Sequence, residues 1–103
     1  MTRLESLKGL VEQQPDDTRI RYMLCMEYAN SGDTQGALGA LDDLIARSPD
    51  YVAGYFLAGR TAEAGGEAAA ARDYYRRGIV TALRTGDRHT AAEMQQALDL
   101  LGE

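Results

Sequence analysis

Residues 16–49 read DDTRIRYMLCMEYANSGDTQGALGALDDLIARSP, and residues 50–83 read DYVAGYFLAGRTAEAGGEAAAARDYYRRGIVTAL. Set one above the other, the two stretches keep a spacing of 34 residues. Leu24, Cys25, Tyr28, Gly32, Ala37, Leu41, Ile45 and Pro49 then fall over Ala58, Gly59, Ala62, Gly66, Ala71, Tyr75, Ile79 and Leu83. Gly32, Ala37 and Ile45 return as the same residue type, and small, apolar or aromatic residues return at most other places. The same spacing counted back from Pro49 reaches Pro15, with Leu7, Leu10 and Val11 where Leu41, Leu44 and Ile45 stand. A period in this range signals stacked structural units, and its length is that of a helix–turn–helix unit.

The local chemistry agrees with that period. Leu4, Leu7, Leu10 and Val11 share one helical face, which predicts a helix over 3–13. Gln14-Pro15 stops it, because the residue before a proline is pushed out of the helical region. Asp16 and Asp17 offer capping oxygens and negative charge to a helix over about 17–31. Ile20, Leu24 and Tyr28 form its core stripe, and Gly32 ends it as a residue free to take positive φ. Asp33 or Thr34 caps a helix over 34–47, with Ala37, Leu38, Leu41, Leu44 and Ile45 buried. Ala37 is small where two helices of a hairpin cross closely. Ser48-Pro49-Asp50 repeats the boundary, and helices over 51–64 and 67–84 follow around Gly65-Gly66. The last helix, about 88–101, has an apolar stripe of Ala91, Met94, Leu98 and Leu101. Thr90 and Glu93 have capping-box spacing at its start, with Asp87 a competing cap.

These residues resemble the tetratricopeptide repeat (TPR) pattern of W-x2-L-G-x2-Y, then A-x3-F, then P. The first unit has Leu24-Cys25-x2-Tyr28, Ala37-x3-Leu41 and Pro49. The second has Ala58-Gly59-x2-Ala62 and Ala71-x3-Tyr75. No tryptophan is present, and Arg21 and Tyr55 stand where the pattern begins. The resemblance implies an all-α fold, with antiparallel helical hairpins stacked as a short right-handed α-solenoid of about six helices. One domain over 1–103 is expected. It divides into an N-terminal half-repeat (3–15), repeat one (16–49), repeat two (50–84) and a C-terminal capping helix (87–103). The capping helix is out of phase with the period.

Composition narrows the function. With 103 residues, the chain suits one domain. Its net charge of −5 argues against a nucleic-acid footprint, which needs a clustered basic face. It also disfavours an anionic membrane surface as partner. Cys25 is the only cysteine, so no internal disulfide forms. The N-terminus lacks an uninterrupted apolar run, so no signal peptide is read and a cytoplasmic location is expected. No metal or other cofactor is expected. His89 is the only histidine and stands at a helix start, and Cys25 occupies a small-residue position of the repeat. Asp42-Asp43 point to different sides of their helix, and Gly65-Gly66 lacks the phosphate-loop arrangement. Catalysis is therefore not expected.

Helix 17–31 carries the functional signal. A surface helix should be polar on its outer side, yet Tyr22, Met23, Cys25, Met26 and Ala29 add to its core stripe. In TPR-like stacks the first helix of each unit lines an inner groove. Carried over, that groove takes Arg19, Tyr22, Met26 and Asn30 from this helix and Phe56, Arg60 and Glu63 from the next. Aromatic residues and arginine are enriched at binding hot spots. The alternative is that Tyr22, Met26 and Phe56 only pack between units or under the C-terminal helix, and that Arg60 is a solvated charge near Glu63. Some family members grip the C-terminal carboxylate of chaperones with lysine, asparagine and arginine on these rows. Tyr22 and Met26 stand where that clamp wants lysine and asparagine, so no clamp of that type is expected. The expected function is non-enzymatic binding of a partner protein or peptide, with self-association as the alternative. A monomer is expected, with a homodimer possible. On α-helix five of the series, Tyr74-Tyr75-Arg76-Arg77 with Arg72 and Arg84 make a basic stretch that could meet an acidic partner.

Overall fold

Four of the six helix starts carry a side chain that caps free backbone N–H groups, and the starts at Tyr51 and Glu67 carry none. In the computed structural model, which describes residues 1–102, six helices follow in order. They are α1 (Arg3–Gln13), α2 (Thr18–Asn30), α3 (Thr34–Arg47), α4 (Val52–Ala64), α5 (Ala68–Thr85) and α6 (Arg88–Leu101). The final residue of the 87–103 segment, Glu103, lies outside the described residues. Asp17 accepts from the Ile20 amide at 3.0 Å, and Asp33 accepts from the Gly36 amide at 2.9 Å. Asp87 accepts from the Thr90 amide at 3.1 Å, so the aspartate caps α6 rather than Thr90. Thr2 and Glu5 close a full capping box on α1, which the sequence reading passed over.

The turns recur with the period. Gly32 and Gly66 have φ of 80° and 77°, the left-handed region that favours glycine at a helix end. Each helix packs on its chain neighbours, and α2 also touches α4. The result is an elongated body of 41 × 29 × 18 Å. Pro49 stops α3 at Arg47, whereas Leu83 in the echo position lets α5 run on to Thr85.

The hairpins close because one side of each crossing is small. A Cβ on Gly59 of α4 would stand 2.6 Å from Cδ1 of Tyr75 on α5. A Cβ on Gly36 of α3 would stand 2.8 Å from Tyr28 on α2. A Cβ on Gly78 of α5 would stand 2.5 Å from the Met94 sulfur on α6. Ala37, Ala58, Ala62 and Ala71 are fully buried for the same reason. The core runs from Cys25 through Leu41, Leu44 and Tyr55 to Tyr75 and Met94. Its N-terminal end is thinner than the stripe on α2 suggests. Ile20, Leu24 and Tyr28 are only half-buried, because a single helix, α1, covers that flank.

Polar contacts tie each unit in the same way. Asp16 pairs with Arg47 at 3.3 Å, and Asp50 pairs with Arg84 at 2.6 Å. The two aspartates are one period apart, and each holds the start of a unit to its last turn. Hydrogen bonding from Arg84 holds the Asp50 carboxyl below the usual carboxylate range. Both pairs are exposed, so each contributes little stability. Tyr74 links the units by donating to Asp42 at 2.6 Å, a contact the periodicity did not reveal.

Candidate functional site

The inner face is built from side chains that α2, α4 and α6 turn toward one another. Two of the hollows on it lie between helices, and Arg60 borders both. The first has a volume of about 420 Å³ and lies between α2 and α4. Met26, Ala29 and Asn30 form one wall, and Leu57, Arg60, Thr61 and Ala64 form the other. The second, of about 350 Å³, lies between α4 and α6. Phe56, Arg60 and Glu63 face Glu93, Gln96, Ala97 and Leu100 across it, with Tyr75 between.

The α6 wall explains how the second hollow arises. Glu93, Gln96, Ala97 and Leu100 stand 36 residues after Leu57, Arg60, Thr61 and Ala64. The helix thus turns to the second hollow the same positions that α4 turns to the first. The slip of two residues from the period comes from the longer α5. A search at fixed spacing therefore misses Gln96, Ala97 and Leu100, and the offset of 36 would have found them.

The electrostatics centre on one cation. The Arg60 guanidinium lies 4.9 Å from the centroid of the Phe56 ring. That is within the range of a cation–π contact. Among the described residues Arg60 joins no ion pair. Glu63, one turn on, accepts from the Tyr75 hydroxyl at 2.8 Å. The Phe56 and Tyr75 rings meet edge to face at 6.2 Å. Burial, and next the hydrogen bond with Glu63, push the Tyr75 phenol well above its ordinary range. Tyr75 is thus a core residue whose hydroxyl reaches the site, a role its stripe position did not disclose.

The sequence-derived set divides three ways. Met26, Asn30 and Arg60 share the first hollow, and Phe56, Arg60 and Glu63 share the second. Tyr22 is turned against Tyr51, edge to face at 5.4 Å, and burial raises its phenol pKa. Arg19 lines a separate hollow with Thr18, Ser48, Pro49, Asp50 and Tyr51. Arg19 therefore stands apart from the rest, whereas Tyr22 rests on Tyr51 with Arg60 near enough to act on its hydroxyl.

Other chemistry-bearing residues are accounted for by structure. Among the described residues no group of three or more His, Cys, Asp or Glu side chains could hold a metal ion. His89 is exposed and stands 3.3 Å from Glu93. Cys25 is fully buried, and burial pushes its thiol up to about 12. The thiolate is the reactive form. Because the folded pKa lies above the unfolded value, this group's contribution to stability is complete below the unfolded pKa. It is lost as pH rises toward about 12. Alkylation by iodoacetamide at mildly alkaline pH is expected only on unfolding. Rapid modification of the folded chain would contradict this burial.

No protein-family model matches the chain. A TPR repeat-containing protein of Pseudomonas aeruginosa is 31% identical over 91 residues, covering 88% of this chain and 87% of the relative. A tetratricopeptide repeat domain protein from Salinibacter ruber, solved in solution, superposes with a TM-score of 0.79 at 30% identity. That match covers 85% of this chain and 89% of the other. A solution structure of a Bordetella parapertussis protein superposes with a TM-score of 0.83 at 27% identity, over 98% of this chain and 88% of the other. Repeat spacing, hairpin geometry and these likenesses agree, and the chain belongs to the tetratricopeptide repeat family.

Proposed function

We propose that this protein is a cytoplasmic, non-enzymatic module that holds a segment of a partner protein on its inner face. The observation that carries the reading is Arg60, a cation set between two partly apolar hollows and, among the described residues, without an ion pair of its own. An extended or helical peptide laid along the face places side chains in both hollows and a polar group on Arg60. Met26 and Phe56 supply the anchors. Met adapts its shape to irregular partners, and Phe56 offers a ring already stiffened by Tyr75 and Arg60. The TPR-type fold serves in general as an interaction scaffold.

Self-association by end-to-end stacking is the weaker reading. At the close crossings the inner units use Ala37 and Ala71, or Cys25 and Gly59. The matching place on α1 holds Arg3, which pairs with Glu27 at 3.3 Å. The matching place on α6 holds Gln95, which donates to Asp99 at 2.9 Å. Long polar side chains there keep a further helix from approaching closely, so α1 and α6 act as end caps.

The test is affinity capture from the protein's own host cells with wild type, Arg60→Glu and Met26→Asp. Each substitution is expected to cost about 2 kcal/mol of binding, roughly thirtyfold in affinity, with helicity unchanged. Capture of the same partner at wild-type level by both variants would remove the reading.

A further inference from the structure

Helix α5 is basic within an acidic chain. It carries Arg72, Arg76, Arg77 and Arg84 against one acid, Asp73, while the chain's net charge is −5. On its outer side Val80 is 66% exposed and Leu83 is 58% exposed. Surface neighbours on a helix are the residues three and four away. For Val80 these are Arg76, Arg77, Leu83 and Arg84. An exposed aliphatic pair is therefore framed by three guanidinium groups. Beside it Tyr55, Arg76, Arg77, Val80 and Thr81 line a hollow of about 380 Å³. This hollow shares no residue with the two that meet at Arg60.

The frame is partly fixed and partly free. Arg77 pairs with Asp73 at 3.0 Å and lies 5.7 Å and 5.5 Å from the Tyr55 and Tyr74 ring centroids. Arg84 is tethered to Asp50. Among the described residues Arg76 joins no ion pair. The fold does not require these residues here. One period earlier, on α3, the places of Arg76, Arg77 and Val80 hold Asp42, Asp43 and Ala46. The same architecture thus stands with opposite charge and no large aliphatic group.

We propose that this face of α5 docks an acidic amphipathic helix of a partner protein. Its aliphatic side chains cover Val80 and Leu83, and its carboxylates meet Arg76 and Arg77, since guanidinium groups match carboxylates in a paired geometry. A helix that buries one apolar stripe is a recurrent mode of peptide recognition. A nucleic acid fits less well. Its phosphates would suit the arginines but leave the aliphatic pair against a hydrated backbone.

The test uses the full chain and fluorescence anisotropy. Three labelled probes are titrated: a helical peptide with leucines flanked by glutamates, the same peptide with lysines for glutamates, and a short RNA duplex. The glutamate peptide is expected to bind, more weakly as salt rises. Arg76→Glu and Val80→Asp are each expected to weaken it about tenfold or more. Both side chains are exposed, so circular dichroism of these variants is expected to match wild type. Met26→Asp and Arg60→Glu are expected to leave this binding unchanged, which separates it from the inner-face reading. Four results would overturn the proposal: no saturable binding of the glutamate peptide, equal binding of the lysine peptide, tighter binding of the RNA, or loss on Arg60→Glu instead. Concentration-dependent dimerisation that Val80→Asp abolishes would overturn it in favour of a second copy.

Discussion

Tyr75→Ala is expected to destabilise the chain by about 3–5 kcal/mol, the usual cost of emptying a large aromatic site in a core. In a domain of this size the melting temperature should drop by more than about 12 °C. The reason is position. Tyr75 is fully buried, seals the close crossing at Gly59, meets Phe56 edge to face and donates to Glu63. Tyr75→Phe separates the ring from the hydroxyl and should cost only about 0.5–1.5 kcal/mol, the range of one hydrogen bond. Thermal unfolding followed by circular dichroism measures both. Equal melting of Tyr75→Ala and wild type would mean that the α4–α5 crossing is not seated on this ring.

Gly59→Leu attacks the same crossing from the other side. The first added carbon already stands 2.6 Å from Cδ1 and 2.8 Å from Cζ of Tyr75. The ring is enclosed and cannot yield cheaply, so overpacking should cost about 1–3 kcal/mol or more. That outweighs the gain of up to about 1 kcal/mol from replacing a helical glycine. Gly39→Ala is the control. Gly39 is exposed on α3 with nothing within 4 Å of a new Cβ. There the propensity gain stands alone, and the variant should be more stable than wild type by roughly 0.5–1 kcal/mol. Chemical denaturation gives both values. Similar effects at the two glycines would contradict the crossing described above.

The helices were legible in the sequence because the signals that set them are local. Aspartates, prolines and glycines mark the ends, and the apolar period marks the faces. Gly32 and Gly66 stand one period apart and have the same left-handed backbone, so turn chemistry alone located both. The site was legible only where the repeat is regular. Met26, Asn30, Phe56, Arg60 and Glu63 lie on rows that the spacing of 34 aligns. Tyr22 belongs to the same row, yet its ring is drawn to Tyr51, a non-local aromatic contact that helix periodicity does not encode. Arg19 stands one turn too early and falls beside the Ser48–Tyr51 boundary. The α6 wall was missed because α5 continues past the place of Pro49's echo and shifts the register. The bond from Tyr74 to Asp42 was missed for a related reason. A tyrosine can be buried by its ring while its hydroxyl reaches a surface acid, and residue spacing says nothing of that reach.

The inner face is the claim on which the functional account rests. A photo-crosslinking residue placed at Asn30 or Gln96, on the two hollows, or at Ala46, on the outer side of α3, tests it in host cells. The account predicts a discrete crosslinked partner from Asn30 and Gln96, lost when Arg60→Glu is added, and none from Ala46. A partner crosslinked from Ala46 alone, or crosslinks at all three that ignore Arg60→Glu, would contradict it.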